Sequence, residues 1–153
     1  MEKQLEAVLA GLAKATGADR CTVRFDDPER GWTVQLPCAE VIVGNAKSLK
    51  QEGSVNQRAA TTVKWLEANR RILVQPDLAN TDTPAPAALV QAYGVRAQML
   101  SPLFCEDGYL QGWISVHYLN RPDSLGKAEV TALQEATVAI SRLLGLPAIA
   151  PDG

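Results

Sequence analysis

The chain has 153 residues, 46% of them hydrophobic and 21% charged, with a formal net charge of -2 from 15 basic and 17 acidic side chains. That length suits one domain with a real core, and the composition excludes a disordered or fibrous chain. The charge balance gives no general pull toward nucleic acid or anionic lipid, and no apolar run approaches the ~20 residues of a membrane-spanning helix.

Leu5, Val8, Leu9 and Leu12 recur at helical spacing and predict a first helix over 2–15, ended by Gly17. This start carries Glu2 and Glu6 and lacks the basic flank, unbroken apolar stretch and cleavage site of a secretory leader, so a cytoplasmic protein is expected. Residues 20–26 alternate as a strand, with Cys21, Val23 and Phe25 on one face and Thr22 and Arg24 on the other. Residues 27–31 read as a turn, and 32–43 as extended chain interrupted by Pro37. A polar stretch, 44–54, reads as a short helix and loop. Residues 55–69 read as a helix with Ser54 as its cap.

RILVQP, 71–76, is a short strand, and the Asp-, Asn-, Thr- and Pro-rich segment 77–86 is a loop. A short helix over 86–93 stops at Gly94. Two strands, about 96–104 and 109–119, follow around an EDG turn. Arg121, Pro122 and Asp123 break the second, and Ser124 caps a last helix over 125–144 that Gly145 and Pro147 stop. The expected organisation is one α+β domain over 1–146 with a mostly antiparallel sheet, and a loose tail over 147–153.

The hairpin carries the most informative pattern. Pairing Phe104 with Tyr109 puts Ala97, Met99, Ser101 and Leu103 on a face with Leu110, Gly112, Ile114 and Val116, which suits packing under helices. The opposite face carries Gln98, Leu100, Pro102 and Phe104 with Trp113, Ser115 and His117, the chain's only histidine. Bulk water has little use for that tryptophan, and a dry core little use for those polar groups unless each finds a partner. A cavity with a few polar groups suits both kinds of residue; hydrogen bonds to loop backbone are the structural alternative. In this register Arg96 lies opposite His117, placed to clamp a carboxylate or phosphate or to pair with a surface acid. Tyr93 closes the preceding helix. Asp77 and Thr81 sit in the loop above, where they bond ligand groups or serve as turn residues.

The stretches "GADRCTVRFDD", "GVRAQMLSPLF", "YLQGWISVHYL" and the helix after "RP" together resemble a GAF domain, closest to those of phytochromes and cyanobacteriochromes, over about 2–144. The resemblance implies a PAS-like central antiparallel sheet with the terminal helices on one face and pocket-forming helices and loops on the other. It implies a sensory or regulatory domain, here stand-alone, that binds a small ligand in signal transduction or dimerises without one. His117 matches a pocket histidine that contacts the tetrapyrrole in such domains. The bilin-attachment cysteine would fall near Ala85, so covalent bilin attachment is not expected and the cofactor reading is none, with an unidentified non-covalent ligand. The Asn-Lys-Phe-Asp-Glu signature of cyclic-nucleotide-binding GAF domains is absent. Expected partners are a small molecule, a second copy through helices 2–15 and 125–144, and a downstream signalling protein.

Catalytic alternatives find less support. One histidine and scattered cysteines do not make a zinc or iron site, and no GxSxG elbow, P-loop or dinucleotide fingerprint occurs. Cys21, Cys38 and Cys105 match in number the cysteine set of GAF-type free methionine sulfoxide reductases, without that subfamily's motifs. Electropositive exposure, which activates a thiol, is opposed at Cys105 by Glu106 and Asp107.

Overall fold

The structure is a computed structural model that describes residues 1–153. Five strands, β1 (Arg20–Phe25), β2 (Ala39–Ile42), β3 (Leu73–Gln75), β4 (Ala97–Phe104) and β5 (Leu110–Tyr118), form one antiparallel sheet in the order β2-β1-β5-β4-β3. Helices α1 (Glu2–Thr16) and α4 (Lys127–Leu144) cover one face; α2 (Thr61–Asn69) and the short α3 (Ala87–Gln91) lie over the other.

The helix-covered face holds the main core. Leu5 and Leu9 of α1 and Leu133 and Ile140 of α4 pack with Cys21, Val23, Met99, Ile114 and Val116. Gly17 and Gly145, both left-handed, end the two helices as the sequence predicts. One polar contact crosses this core: the Ser101 and Thr137 hydroxyls lie 2.7 Å apart, and Thr137 donates to the Leu133 carbonyl. On the other face Trp113, Leu100, Leu73, Val63 and Leu66 form a smaller cluster. Leu49, Leu78, Leu89 and Val95 form a third.

The hairpin register differs from the expected one by two residues. Residues 105–109 make the turn, so Phe104 pairs with Leu110, and an irregularity at Gln111 then pairs Leu103 with Gly112. An odd turn alone would exchange the faces of β5; the extra residue of the bulge restores them. Gln98 therefore faces His117, and Arg96 is exposed beyond the strand rather than opposite the imidazole. Leu110, before the bulge, joins Trp113 and Leu100 instead of the helix-side core.

Other segments also depart from the sequence reading. Only 39–42 of the extended stretch enters the sheet, and 44–54 forms turns without a helix. The helix expected over 55–69 is a 3-10 turn at Gln57–Ala59 followed by α2, and Ser54 bonds Glu52 instead of capping it. Long-range contacts fix that break: Gln57 N–H donates to Gln35, and the Arg58 guanidinium pairs with Asp26 and donates to the Leu110 carbonyl. The last helix begins at Lys127, where Glu129 accepts from the Gly126 N–H at 2.8 Å, so Ser124 is not its cap. The tail is tied down: Ile72 N–H donates to the Asp152 carbonyl and Gln134 to that of Pro151, both at 2.8 Å.

Gly112 marks the closest approach between β5 and β1. A Cβ there would lie 2.1 Å from the Arg24 carbonyl oxygen and 2.9 Å from the Phe25 Cα. Gly112→Ala is expected to destabilise the chain by about 1–3 kcal/mol or more. An unchanged urea midpoint in the variant would show that the strands part without cost.

Candidate functional site

The face away from the terminal helices carries a polar row that crosses four strands. Arg20 of β1 stands opposite His117 of β5, His117 opposite Gln98 of β4, and Gln98 opposite Gln75 of β3. All four are buried. Alternation along each strand puts them on one side of the sheet, and the antiparallel register aligns them. The next row holds Thr22 and Ser115, and the one after it Arg24 and Trp113.

Hydrogen bonds join the row from both ends. Arg20 Nε donates to His117 Nδ1 at 3.1 Å, and a second guanidinium nitrogen donates to the Lys47 carbonyl at 2.8 Å. Arginine only donates, so Nδ1 is the acceptor and the neutral imidazole carries its proton on Nε2. From the other end Gln75 donates to the Thr83 carbonyl at 2.6 Å and the Thr81 hydroxyl at 3.2 Å, and accepts from Gln98 at 2.7 Å. The chain of bonds breaks in the middle. Gln98 Oε1, the Thr22 hydroxyl and one Arg20 terminal nitrogen are buried with no partner.

At this break lies a cavity of about 20 Å³ lined by Gln98, Leu100, Trp113, Ser115 and His117 from the floor and by Arg24, Gln57, Thr62, Val63, Pro86 and Leu89 around and above. Its volume admits about one water molecule. The five floor residues singled out from the sequence thus meet at one place. The four rim candidates do not. Tyr93 donates to Glu52 at 3.1 Å and its ring lies 5.8 Å from the Arg20 guanidinium carbon. Thr81 touches the row only through Gln75. Asp77 caps its own turn at Ala79 N–H and pairs with Arg121 at 3.4 Å, and Arg96 is exposed to solvent.

Several site residues escape the sequence reading, among them Arg20, Thr22 and Arg24 of β1, Gln75 of β3 and the roof residues Gln57 and Thr62. The alternation of RCTVRF places the three β1 residues on one face, but a charged strand face reads by default as solvated. Here every residue of β1 is buried, because 43–60, α2 and α3 roof that face.

Burial governs the electrostatics. It pushes the His117 imidazole well below its ordinary 6.5, and the Arg20 and Arg24 charges push the same way. It also lowers Arg24 to about 10, which leaves that group cationic at neutral pH, and lowers Arg20 below its ordinary value.

A GAF domain family model matches residues 1–144. The chain belongs to the GAF domain family. No curated protein is recognisably similar in sequence. Solved GAF domains share its fold. The phycocyanobilin-bound GAF domain of a cyanobacterial phytochrome superposes with TM-score 0.70 at 20% identity, covering 94% of this chain and 83% of that one. The GAF domain of Thermosynechococcus elongatus PixJ, in its blue-light absorbing form, gives 0.67 at 18%, covering 94% and 86%. The third GAF domain of Slr1393 from Synechocystis sp. PCC6803 gives 0.64 at 16%, covering 94% and 96%. No helix of this GAF domain is long and apolar enough to cross a membrane.

The cysteines of this GAF domain lie away from the cavity, none of whose lining residues is a cysteine. Cys21 and Cys38 are in the helix-side core, where burial pushes both thiols up to about 12. Cys105 is in the hairpin turn and donates to Asp107 at 2.7 Å. At pH 7.5 iodoacetamide is expected to label Cys105 alone in the folded chain and all three in denaturant, read by mass spectrometry. Rapid labelling of Cys21 in folded protein would contradict this packing.

The neutral His117 makes a second expectation. The unfolded chain protonates its histidine near pH 6.5, whereas the folded chain resists the proton. Stability from the neutral ring is complete above that pH and falls as pH drops below it, by up to about 1.4 kcal/mol per pH unit. Urea midpoints between pH 7 and 5 are expected to fall in the wild type and to flatten in His117→Gln. An equal slope in the variant would place the proton uptake elsewhere.

Proposed function

We propose that this GAF sensory domain binds a small molecule non-covalently in the cavity between the sheet and its roof, as a sensory or regulatory element of signal transduction. One observation carries the reading: Gln98, whose buried Oε1 has no partner within the chain, lines a cavity with His117 and Trp113, and one Arg20 nitrogen and the Thr22 hydroxyl on the same face of the sheet are likewise buried without partners. An unpartnered buried polar group is costly, and a fold that keeps three together leaves room for a guest that supplies their partners.

The cavity of about 20 Å³ is far below the roughly 300 Å³ at which ligand pockets begin. A guest larger than water therefore has to lift the roof. The segment 44–60 is suited to that. Only Leu49 and Gln57 in it are buried, and it is built of turns. The attachment is non-covalent in this reading because Ala85 stands where bilin attachment is expected and Cys21 and Cys38 face the opposite side of the sheet.

Native mass spectrometry of freshly purified protein is expected to show a retained metabolite that denaturation releases. Calorimetry with that metabolite is expected to give saturable binding, weakened about tenfold or more by Trp113→Ala or His117→Ala. Unchanged binding in both folded variants would remove the cavity as the site.

A second reading is a homodimerisation module. A groove of about 250 Å³ runs along the outer side of α1 and α4, between Val8 and Ala15 of one and Ala132 and Ala139 of the other. Its small side chains allow close approach of another helix pair. A stable dimer by light scattering, with no thermal shift from any metabolite, would favour this reading over the first.

A further inference from the structure

A cavity of about 380 Å³ opens where the β4–β5 turn, the end of α2 and the tail after α4 meet. Its volume falls in the range of small-molecule sites, roughly 300–1,000 Å³, which the roof-side cavity does not reach. Arg70, Phe104 and Cys105 line it together with Ser141 of α4 and Pro147 and Ile149 of the tail. The tail wall is held by the bonds of Asp152 to Ile72 and of Pro151 to Gln134. None of the lining residues belongs to the roof-side cavity, so this site stands apart from any guest under the roof.

Three residues of the wall carry chemistry that the fold does not use up. Arg70 is the chain's only non-glycine residue with a left-handed backbone, φ 56°, at the C-terminal end of α2, where glycine or asparagine fits without strain. Its guanidinium reaches the turn, donates to the Gly108 carbonyl at 3.0 Å and stands 3.9 Å from the Phe104 ring centre. It joins none of the chain's four ion pairs, so this cation has no carboxylate partner. Ser141 is 3% exposed, yet its hydroxyl makes no hydrogen bond within the chain, whereas that of Thr137 one turn earlier donates to the Leu133 carbonyl. The cavity is the side from which a partner reaches it. Cys105 is the one thiol outside the core, and its sulfur donates to Asp107 at 2.7 Å. Its neighbours Glu106 and Asp107 oppose a thiolate, but the fold brings Arg70 to the same wall as a counterweight.

We propose that Cys105 is a thiol-modification site that takes up half of a small carboxylate-bearing disulfide, with Arg70 holding the carboxylate and the cavity holding the transferred half. The Cys105 sulfur, as thiolate, attacks one sulfur of the disulfide. That S–S bond breaks, a new one forms to Cys105, and the other half leaves as a thiolate that takes up the proton Cys105 gave to solvent. The disulfide is the oxidant: the Cys105 sulfur is oxidised and the leaving half is reduced. The Ser141 hydroxyl adds one hydrogen bond to the transferred half. Cys21 and Cys38 are buried in the helix-side core, so no second thiol of the chain displaces the adduct, and the mixed disulfide lasts until an external thiol removes it.

Exchange at Cys105 of the full chain, followed by peptide mass spectrometry at pH 8, tests it with two probes: dithiodipropionate, which carries two carboxylates, and cystamine, which carries two ammonium groups. Each rate is divided by the rate at Cys105 in the urea-unfolded chain, which removes the intrinsic reactivity of the probe. The normalised rate is expected to be about tenfold or more higher for dithiodipropionate than for cystamine. Arg70→Asn, which suits the left-handed backbone, is expected to lower the dithiodipropionate value about tenfold or more and not to lower that of cystamine. Ser141→Ala is expected to lower the dithiodipropionate value about threefold, and decides the matter if Arg70→Asn changes the circular dichroism of the fold. A cystamine value equal to or above that of dithiodipropionate would show that Glu106 and Asp107 set the field at the thiol, and overturns the proposal. Indifference of dithiodipropionate to both variants, or no exchange with either probe, overturns it as well.

Discussion

One inserted residue at Gln111 keeps the two faces of the central hairpin apart. The turn over 105–109 has odd length and would by itself send Trp113, Ser115 and His117 into the helix-side core and Ile114 and Val116 under the roof. The bulge adds a second odd step and cancels the first. Gly112 follows at once, where only hydrogen fits against the β1 backbone. Everything on either side of the sheet depends on this local arithmetic: a dry face that binds α1 and α4, and a polar face that needs something other than helices above it.

That polar face has an unusual energetic character. The terminal helices supply most of the apolar burial, through a cluster of twenty buried residues against seven and four in the two roof-side clusters. The stronger side can carry a weaker one that holds two buried guanidinium groups and several unpartnered polar atoms. Apolar burial and buried polar groups are thus divided between opposite faces of one sheet.

Residues 44–60 touch the Arg20 end of the row through Lys47, and the seat for α2 begins directly after them. The Arg20 guanidinium thus ties the Lys47 carbonyl of the roof segment to the polar row of the sheet.

Sequence alone determined the terminal helices, most of the strands and the alternation that separates Gln98, Leu100, Trp113, Ser115 and His117 from the helix-side residues, because those patterns are local. That alternation met across the hairpin only because the bulge at Gln111 offset the odd turn, which the sequence did not show. The rest needed tertiary structure. Whether the polar face of RCTVRF meets water or a roof is decided by 43–60, whose turns are held by contacts with Glu40 and with Arg20 and Gln35 farther away in the chain. Asp77, plausible as a rim residue by position, is taken up by the Ala79 N–H and Arg121, and Arg96 is exposed to solvent. An ionised side chain carries no mark of its burial, and only the long-range packing that covers β1 makes Arg20 and Arg24 interior charges.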